Sequence, residues 1–270
     1  MANWHGLTMQ SNLTYGKALG TGSEVQATSQ FTVPDPYNLH SAYGLQPWDR
    51  KFIYNLWVVY EAPFYKGQHG LAGRLAGGWT FAPLFTAGSG LPLEVSPSDA
   101  FANQLYGGGQ AWGEGDGANF AALQNAINMC GNVFGTSRHN NPVGGNSVYG
   151  SNEFGPSLFQ DPGKTFSCFR NPILGIDGSA GGGAGILRGQ PYWNMDFSIK
   201  KNVAITERVN TEFTAIFTNL FNHNYLSDPY LIVGDAADWG GLGGYTAVFN
   251  GLSAQANNPR AMEFGLRVRF

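Results

Sequence analysis

The stretch R-A-M-E-F-G-L-R-V-R-F, residues 260–270, decides the fold of this chain. Its side chains alternate with a period of two, which is the period of a β-strand. One face carries Met262, Phe264, Leu266, Val268 and Phe270, and the other carries Ala261, Glu263, Gly265, Arg267 and Arg269. In a water-soluble sheet the apolar face would pack on a core. In a transmembrane barrel it contacts lipid while the charged face lines a wet lumen, and about ten residues suffice to cross.

Composition excludes several classes of protein. Only 12% of the 270 residues are charged, whereas 14% are aromatic and 39 are glycine. Soluble domains usually carry about 25% charged residues. A helical membrane protein would need a run of about eighteen apolar residues, and the sequence has none. The net charge of -3 argues against a nucleic-acid partner.

Five further segments show strand periodicity, so the sequence predicts an all-β protein. We expect an antiparallel meander of about six long strands that forms part of a transmembrane β-barrel wall. The strands are predicted near residues 6–17, 50–62, 78–90, 190–203, 208–221 and 260–270. Pro83 lies in the third strand and lacks an amide donor, which a central strand tolerates poorly and a bulge tolerates better.

The connections between these strands are, in order, long, short, very long, short and long. The longest is a loop at residues 97–188, in which residues 119–129 have the spacing of a short helix. Antiparallel strands of an outer-membrane barrel alternate between short periplasmic turns and long extracellular loops. The lengths therefore favour a barrel over a soluble β-sandwich and predict a periplasmic C-terminus.

The alternation also predicts which side chains face lipid and which face the lumen. The predicted lipid-facing residues are Trp193, Met195, Phe197, Ile199, Met262, Phe264, Leu266 and Val268. The predicted lumen-facing residues are Asp196, Lys200, Glu212, Glu263, Arg267 and Arg269. Opposite charges on neighbouring strands can form a ladder along the lumen or contact a plug. We favour this structural role over substrate binding.

Other candidate sites are few. Cys130 and Cys168 lie in the long loop, where they form either a disulfide or two unpaired thiols. Asp235 and Asp238 are candidate calcium ligands, with a solvated turn as the alternative. The five histidines lack metal-ligand spacing, and no G-x-S-x-G or phosphate-loop motif is complete. We therefore expect neither an enzyme nor a cofactor.

Several phrases of the sequence resemble the C-terminal barrel of Oar-like TonB-dependent transporters. They are L-T-Y-G-K-A-L, D-P-Y-N-L, D-R-K-F, Y-E-A-P-F-Y-K-G, G-G-W-T-F, F-T-A-G-S-G-L-P, W-N-M-D-F-S-I-K-K-N-V-A-I-T-E-R, F-T-N-L-F-N-H and N-P-R-A-M-E-F-G-L-R-V-R-F. The resemblance covers nearly all of the chain outside the long loop. It implies a 22-stranded outer-membrane barrel with an N-terminal plug and a TonB-contact segment. A terminal aromatic such as Phe270 resembles the insertion signal that the barrel-assembly machinery reads.

The chain departs from this family pattern because six strands cannot close a barrel, for which about eight are needed. No plug, TonB-contact segment or signal peptide precedes the strands that we predict. We therefore expect residues 1–270 to be the C-terminal part of a longer receptor in the outer membrane of a Gram-negative bacterium. The expected partners are outer-membrane lipid, the assembly machinery, the receptor's own plug and strands and, only through those parts, TonB.

Two functions of different classes fit this sequence. In the first, the chain supplies wall and extracellular loops of a TonB-dependent receptor that takes up an unidentified substrate. In the second, the same strands anchor large loops that act as a surface or adhesion module. A soluble β-sandwich binding protein would instead require the apolar face with Trp193 to be buried.

Overall fold

The computed structural model describes most of the predicted strands and part of the connections. The described residues are 2–20, 44–46, 48–93, 95, 126–131, 136–137, 139, 156–171, 187–206, 208–224, 226, 228–229, 231–234, 236, 239–242 and 259–270. For residues 2–4 and 44 only the backbone is described.

Strands dominate the described residues. In chain order the elements are β1 (Ala2–Trp4), β2 (Leu7–Tyr15), β3 (Leu19–Gly20), β4 (Gly44–Leu45), β5 (Phe52–Glu61), α1 (Gly70–Ala76), β6 (Trp79–Gly88), β7 (Pro92–Leu93), β8 (Ile127–Asn128), α2 (Pro162–Phe166), β9 (Phe169–Arg170), β10 (Leu187–Arg188), β11 (Tyr192–Ala204), β12 (Asn210–Thr218) and β13 (Ala261–Arg269). Neither described helix has the length or apolar character to cross a bilayer.

Within the described residues, the main sheet has seven strands in the order β1-β2-β5-β6-β11-β12-β13, and every neighbouring pair is antiparallel. The predicted all-β antiparallel meander is thereby confirmed. The six predicted strands correspond to β2, β5, β6, β11, β12 and β13. Each observed strand ends within two or three residues of its predicted bounds, and β11 extends one residue further, to Ala204.

β1 was not predicted from the sequence, because it has only three residues and is too short to show a period. His5 and Gly6 join it to β2, with φ angles of 47° and 88°. Positive φ at both central residues is what a tight type I′ hairpin turn requires. The Gly6 carbonyl also accepts a hydrogen bond from the Glu61 amide at 2.8 Å, which ties this turn to the end of β5.

Two local expectations need correction. Pro83 lies in a central strand without a bulge, because Trp57–Leu84 and Tyr60–Phe81 keep one register on either side of it. The pairing with β5 is instead interrupted opposite Pro83, which has no amide to donate. The prediction of a helix at residues 119–129 is wrong for its C-terminal end, since Ile127 and Asn128 form a strand that pairs with β9. Residues 119–125 lie outside the described part.

Connections of different length lie at opposite ends of the sheet. The short-connection end contains the turn at residues 5–6, the segment 62–78 with α1, and the turn at residues 205–209. The long-connection end contains segments 16–51, 89–191 and 219–260. Arg269 pairs with Asn210, so the chain finishes at the short-connection end.

A hydrophobic core lies among the long connections rather than against the main sheet. We call it the loop core: Leu93, Val95, Ala126, Leu158, Phe159, Cys168, Phe169, Leu187, Leu226, Leu231, Trp239 and Leu242. Trp239 is fully buried, with its ring 6.2 Å from Phe159 and 5.2 Å from Phe166. The loop core therefore joins residues of the 89–191 and 219–260 connections in one packed unit.

Candidate functional site

The main sheet has two chemically different faces, because paired residues on neighbouring strands point to the same side. We call one of them the apolar face: Leu7, Met9, Leu13, Tyr15, Phe52, Tyr54, Leu56, Val58, Tyr60, Trp79, Phe81, Pro83, Phe85, Ala87, Trp193, Met195, Phe197, Ile199, Val203, Phe213, Ala215, Phe217, Met262, Phe264, Leu266 and Val268. All eight residues that were predicted to face lipid lie on it.

Aromatic rings follow one another across four strands of the apolar face. The ring of Phe197 lies 6.4 Å from that of Phe81 and 6.5 Å from that of Phe217. Phe217 lies 6.4 Å from Phe264. No core packs on this surface within the described residues, and Phe264 and Leu266 are 63% and 70% exposed. Such a continuous exposed apolar surface needs a partner medium other than water.

The opposite side, which we call the polar face, carries amide, hydroxyl and charged groups. Its polar members are Thr8, Gln10, Asn12, Thr14, Asn55, Glu61, Thr80, Thr86, Asn194, Asp196, Ser198, Lys200, Asn202, Asn210, Glu212, Thr214, Thr218, Glu263, Arg267 and Arg269. All six residues that were predicted to face the lumen lie on it. It also includes some apolar side chains, among them Leu84 and Ile216.

Charged groups on three strands of the polar face meet at Glu212. Glu212 Oε2 lies 3.0 Å from Lys200 Nζ and 3.6 Å from Arg269 Nη2. The other predicted charges do not join this cluster in the same way. Asp196 Oδ1 accepts hydrogen bonds from Asn194 Nδ2 at 3.0 Å and from the Asn219 amide at 2.9 Å, and Glu263 lies opposite Ile216.

A polar cavity of about 460 Å³ surrounds this cluster at the short-connection end. It is lined by Lys66, Gly67, Gln68, Lys200, Asn202, Ala204, Asn210, Glu212 and Arg269. Gln68 fixes its wall, because its Nε2 donates to the Asn202 carbonyl and its Oε1 accepts from the Ala204 amide, both at 2.9 Å. The cavity is lined mainly by polar and charged groups, as expected of a surface that faces water.

A buried carboxylate and two partly buried arginines connect the sheet to the loop core at the long-connection end. The Asp49 carboxylate is 1% exposed and accepts hydrogen bonds from Arg188 Nη2 and from the Ala18 amide. Arg50 donates to the Ser89 carbonyl and lies 4.6 Å from the centre of the Tyr192 ring. These contacts join the 16–51 connection to the 89–191 connection.

Asp228 lies at the same junction. Burial raises the pKa of the Asp228 carboxyl to about 6, although the Gln190 amide and the Arg50 charge both act to lower it. The Gln190 amide nitrogen lies 3.3 Å from Asp228 Oδ1. Asp228 is therefore a carboxyl that changes charge in mildly acidic solution, where the 219–260 connection meets β11.

Lys201, which interrupts the apolar face, was not identified from the sequence. Its ammonium donates to the carbonyls of Leu75, at 3.1 Å, and Gly77, and it lies 4.9 Å from the centre of the Trp79 ring. Consecutive lysines at 200 and 201 must point to opposite faces of a strand. That rule was a signal available in the sequence. Asp49, Arg188 and Asp228 gave no such signal, because they are distant in the chain.

The remaining candidates have different outcomes. The structure joins Cys130 and Cys168 in a disulfide. Asp235 and Asp238 lie outside the described residues. Within the described residues, no three metal-ligating side chains come together. Phe270 is fully exposed beyond the end of β13.

Comparison with known proteins gives one match. A family model described as "Outer membrane beta barrel domain" matches residues 2–262. No curated protein and no solved structure matches the chain.

Proposed function

The chain belongs to the outer membrane beta barrel domain family, and from that premise we propose that it forms wall and outer loops of a TonB-dependent receptor. In this role the apolar face contacts outer-membrane lipid and the polar face lines the lumen. The long-connection end faces the outside of the cell and the short-connection end faces the periplasm. The protein takes up or passes an unidentified substrate, and the chain itself does no catalysis.

The observation that carries this proposal is the pairing of an exposed apolar face with a charged face on one sheet. A soluble sandwich would cover the side chains of Phe264 and Leu266, yet both are mostly exposed. The opposite face holds the Lys200–Glu212–Arg269 cluster in a polar cavity. The resemblance of the phrases around β11 and β13 to Oar-like transporters supports the finer assignment to TonB-dependent receptors.

The loop core supports a role for the long-connection end in contacting substrate. Residues from two connections pack around Trp239, and the Cys130–Cys168 disulfide closes one of them. A packed unit of this kind presents its outer surface in a fixed shape, which reduces the entropy cost of binding. The same feature suits the alternative function, in which the loops bind another cell or a matrix.

Deletion of the codons for residues 97–188 from the chromosomal gene distinguishes the uptake function from the adhesion function. We expect the deletion strain and a strain without the inner-membrane energy-coupling system to leave the same compounds unconsumed in the medium, as measured by mass spectrometry. Adhesion of the deletion strain should be unchanged. Loss of adhesion with normal consumption would instead support the surface module.

A further inference from the structure

We propose that α1 and the turn at residues 205–209 form a platform that binds anionic phospholipid headgroups at the membrane surface of the short-connection end. The platform consists of Leu71, Leu75 and Ile205 together with Arg74 and Arg208. This inference rests on the proposed function, in which the apolar face contacts lipid.

The contacts of α1 place its last turn beside the apolar face. The Leu75 carbonyl accepts hydrogen bonds from Trp79 Nε1 at 2.9 Å and from Lys201 Nζ at 3.1 Å. The side chains of Trp79 and Lys201 both belong to the apolar side of the sheet, where they pair with one another across β6 and β11. The helix therefore continues the apolar face at the point where the strands end.

Apolar side chains of the platform are exposed to an unusual degree. Leu71 and Leu75 are 81% and 73% exposed, and their spacing of four residues puts them on one face of the helix. Ile205, in the neighbouring turn, is 48% exposed. A helix that exposes leucines on one side, with a basic residue beside them, is suited to the interface of a bilayer.

Cations lie beside these apolar groups. Arg74 in α1 donates to the Ile205 carbonyl at 3.3 Å, which joins the helix to the turn that also holds Arg208. Both arginines are exposed, and α1 contains no acidic residue. The one acid in the turn sequence is Glu207, which lies outside the described residues. Arginines flanking an apolar surface suit the phosphates of anionic lipids, which attract basic groups at the membrane surface.

Lys201 has a positioning role in this platform. It is only 8% exposed, and its ammonium contacts the Leu75 and Gly77 carbonyls at the C-terminal end of α1. A cation is favoured at that end of a helix. The aliphatic part of the Lys201 side chain belongs to the apolar side of the sheet, and its ammonium lies at the end of α1. Lysines near a membrane interface adopt the same arrangement. Lys201 thus holds the helix against the sheet, and the arginines remain for the headgroups.

The full chain can be tested in vesicles made of equal amounts of phosphatidylcholine and phosphatidylglycerol. A bimane fluorophore is attached to Leu71→Cys, and bromine atoms are carried on the acyl chains of either one lipid or the other. We expect brominated phosphatidylglycerol to quench more strongly than brominated phosphatidylcholine. Arg74→Gln and Arg208→Gln should each reduce this preference by about two- to fivefold.

Lys66→Gln is the matched control. Lys66 lines the polar cavity, so this substitution should leave the preference for quenching by brominated phosphatidylglycerol unchanged. A second label at Phe264→Cys reports on the proposed wall. If Phe264→Cys is not quenched by either lipid, the proposed function itself fails. If it is quenched while Leu71→Cys is quenched by neither lipid, or by both equally in every variant, the platform is overturned and the wall stands.

Discussion

Lys200 and Glu212 form an ion pair across two neighbouring strands although they are not opposite each other. Lys200 is paired in register with Thr214 and Glu212 with Asn202, so the 3.0 Å contact between Nζ and Oε2 is diagonal. Long side chains reach diagonal neighbours on a sheet. Arg269 reaches the same carboxylate from β13, where Arg267 is the residue directly opposite Glu212. One acid thus connects three strands on the polar face.

Replacing this acid should weaken the sheet in a salt-dependent way. We expect Glu212→Gln to lower the thermal unfolding temperature in detergent at low salt, because Lys200 and Arg269 then face each other without a counter-charge. The difference from the unmodified protein should shrink at high salt, which screens exposed charges. Glu263→Gln is the control, since Glu263 lies opposite Ile216. Equal effects of the two substitutions would contradict the role of the cluster.

The long strands could be predicted from the sequence because their pattern is local. In β11 and β13 each side chain alternates between two environments, so the period of two survives over nine or more residues. The same alternation assigned Phe197 and Phe264 to one face and Lys200 and Arg267 to the other, as the register has them.

Features that depend on distant residues could not be predicted in this way. Asp49 and Arg188 are 139 residues apart, and no local sequence pattern around either residue indicates that the two are in contact. The loop core is built from scattered apolar residues such as Leu93 and Trp239, which show no period because they lie in irregular segments. For Lys201 the strand period indicates only a position on the face opposite Lys200. Its partners, the backbone carbonyls of Leu75 in α1 and of Gly77 just after α1, are distant in the chain and could not be predicted.

The disulfide should stabilise the loop core without being needed for the sheet. Cys130 and Cys168 are separated by 38 residues, and a closure of this length contributes about 4 kcal/mol through the entropy of the unfolded chain. We expect Cys130→Ser/Cys168→Ser to increase proteolysis within residues 126–171 while the circular dichroism of the β-sheet is retained. Dithiothreitol should increase proteolysis of the unmodified protein and leave that of the variant unchanged. Equal protease resistance of both proteins in the oxidised state would argue against this role.

Asp228 should make the junction with the loop core sensitive to pH. Its folded-state pKa of about 6 lies above the ordinary value of 3.8, so the folded protein holds the proton more tightly than the unfolded chain does. The stabilisation linked to this proton is complete below about pH 4 and is lost as the pH rises through 6. A pKa difference of this size corresponds to about 3 kcal/mol.

The substitution Asp228→Asn tests this linkage, because asparagine has nearly the same shape and no charge. We expect the substitution to slow hydrogen exchange of residues 187–190 at pH 7 and to leave it unchanged near pH 4. The unmodified protein should show faster opening of the same residues as the pH is raised from 4 to 7, after correction for the intrinsic exchange rate. An identical pH dependence in the substituted protein would assign the effect to another group.

Arg188 should be more important for stability than the exposed cations of the polar face. Its partner Asp49 is 1% exposed, and among the described residues Arg188→Met would leave that buried carboxylate with the Ala18 amide as its hydrogen-bond donor. Removing one partner of a buried pair costs about 3–5 kcal/mol, whereas removing both charges costs much less. We therefore expect urea to open the junction of Arg188→Met earlier than that of Asp49→Asn/Arg188→Met, as measured by proteolysis near residues 44–51. If the single variant is as stable as the double variant, the Asp49 charge is not held by Arg188, and the sheet must be joined to the loop core by other contacts.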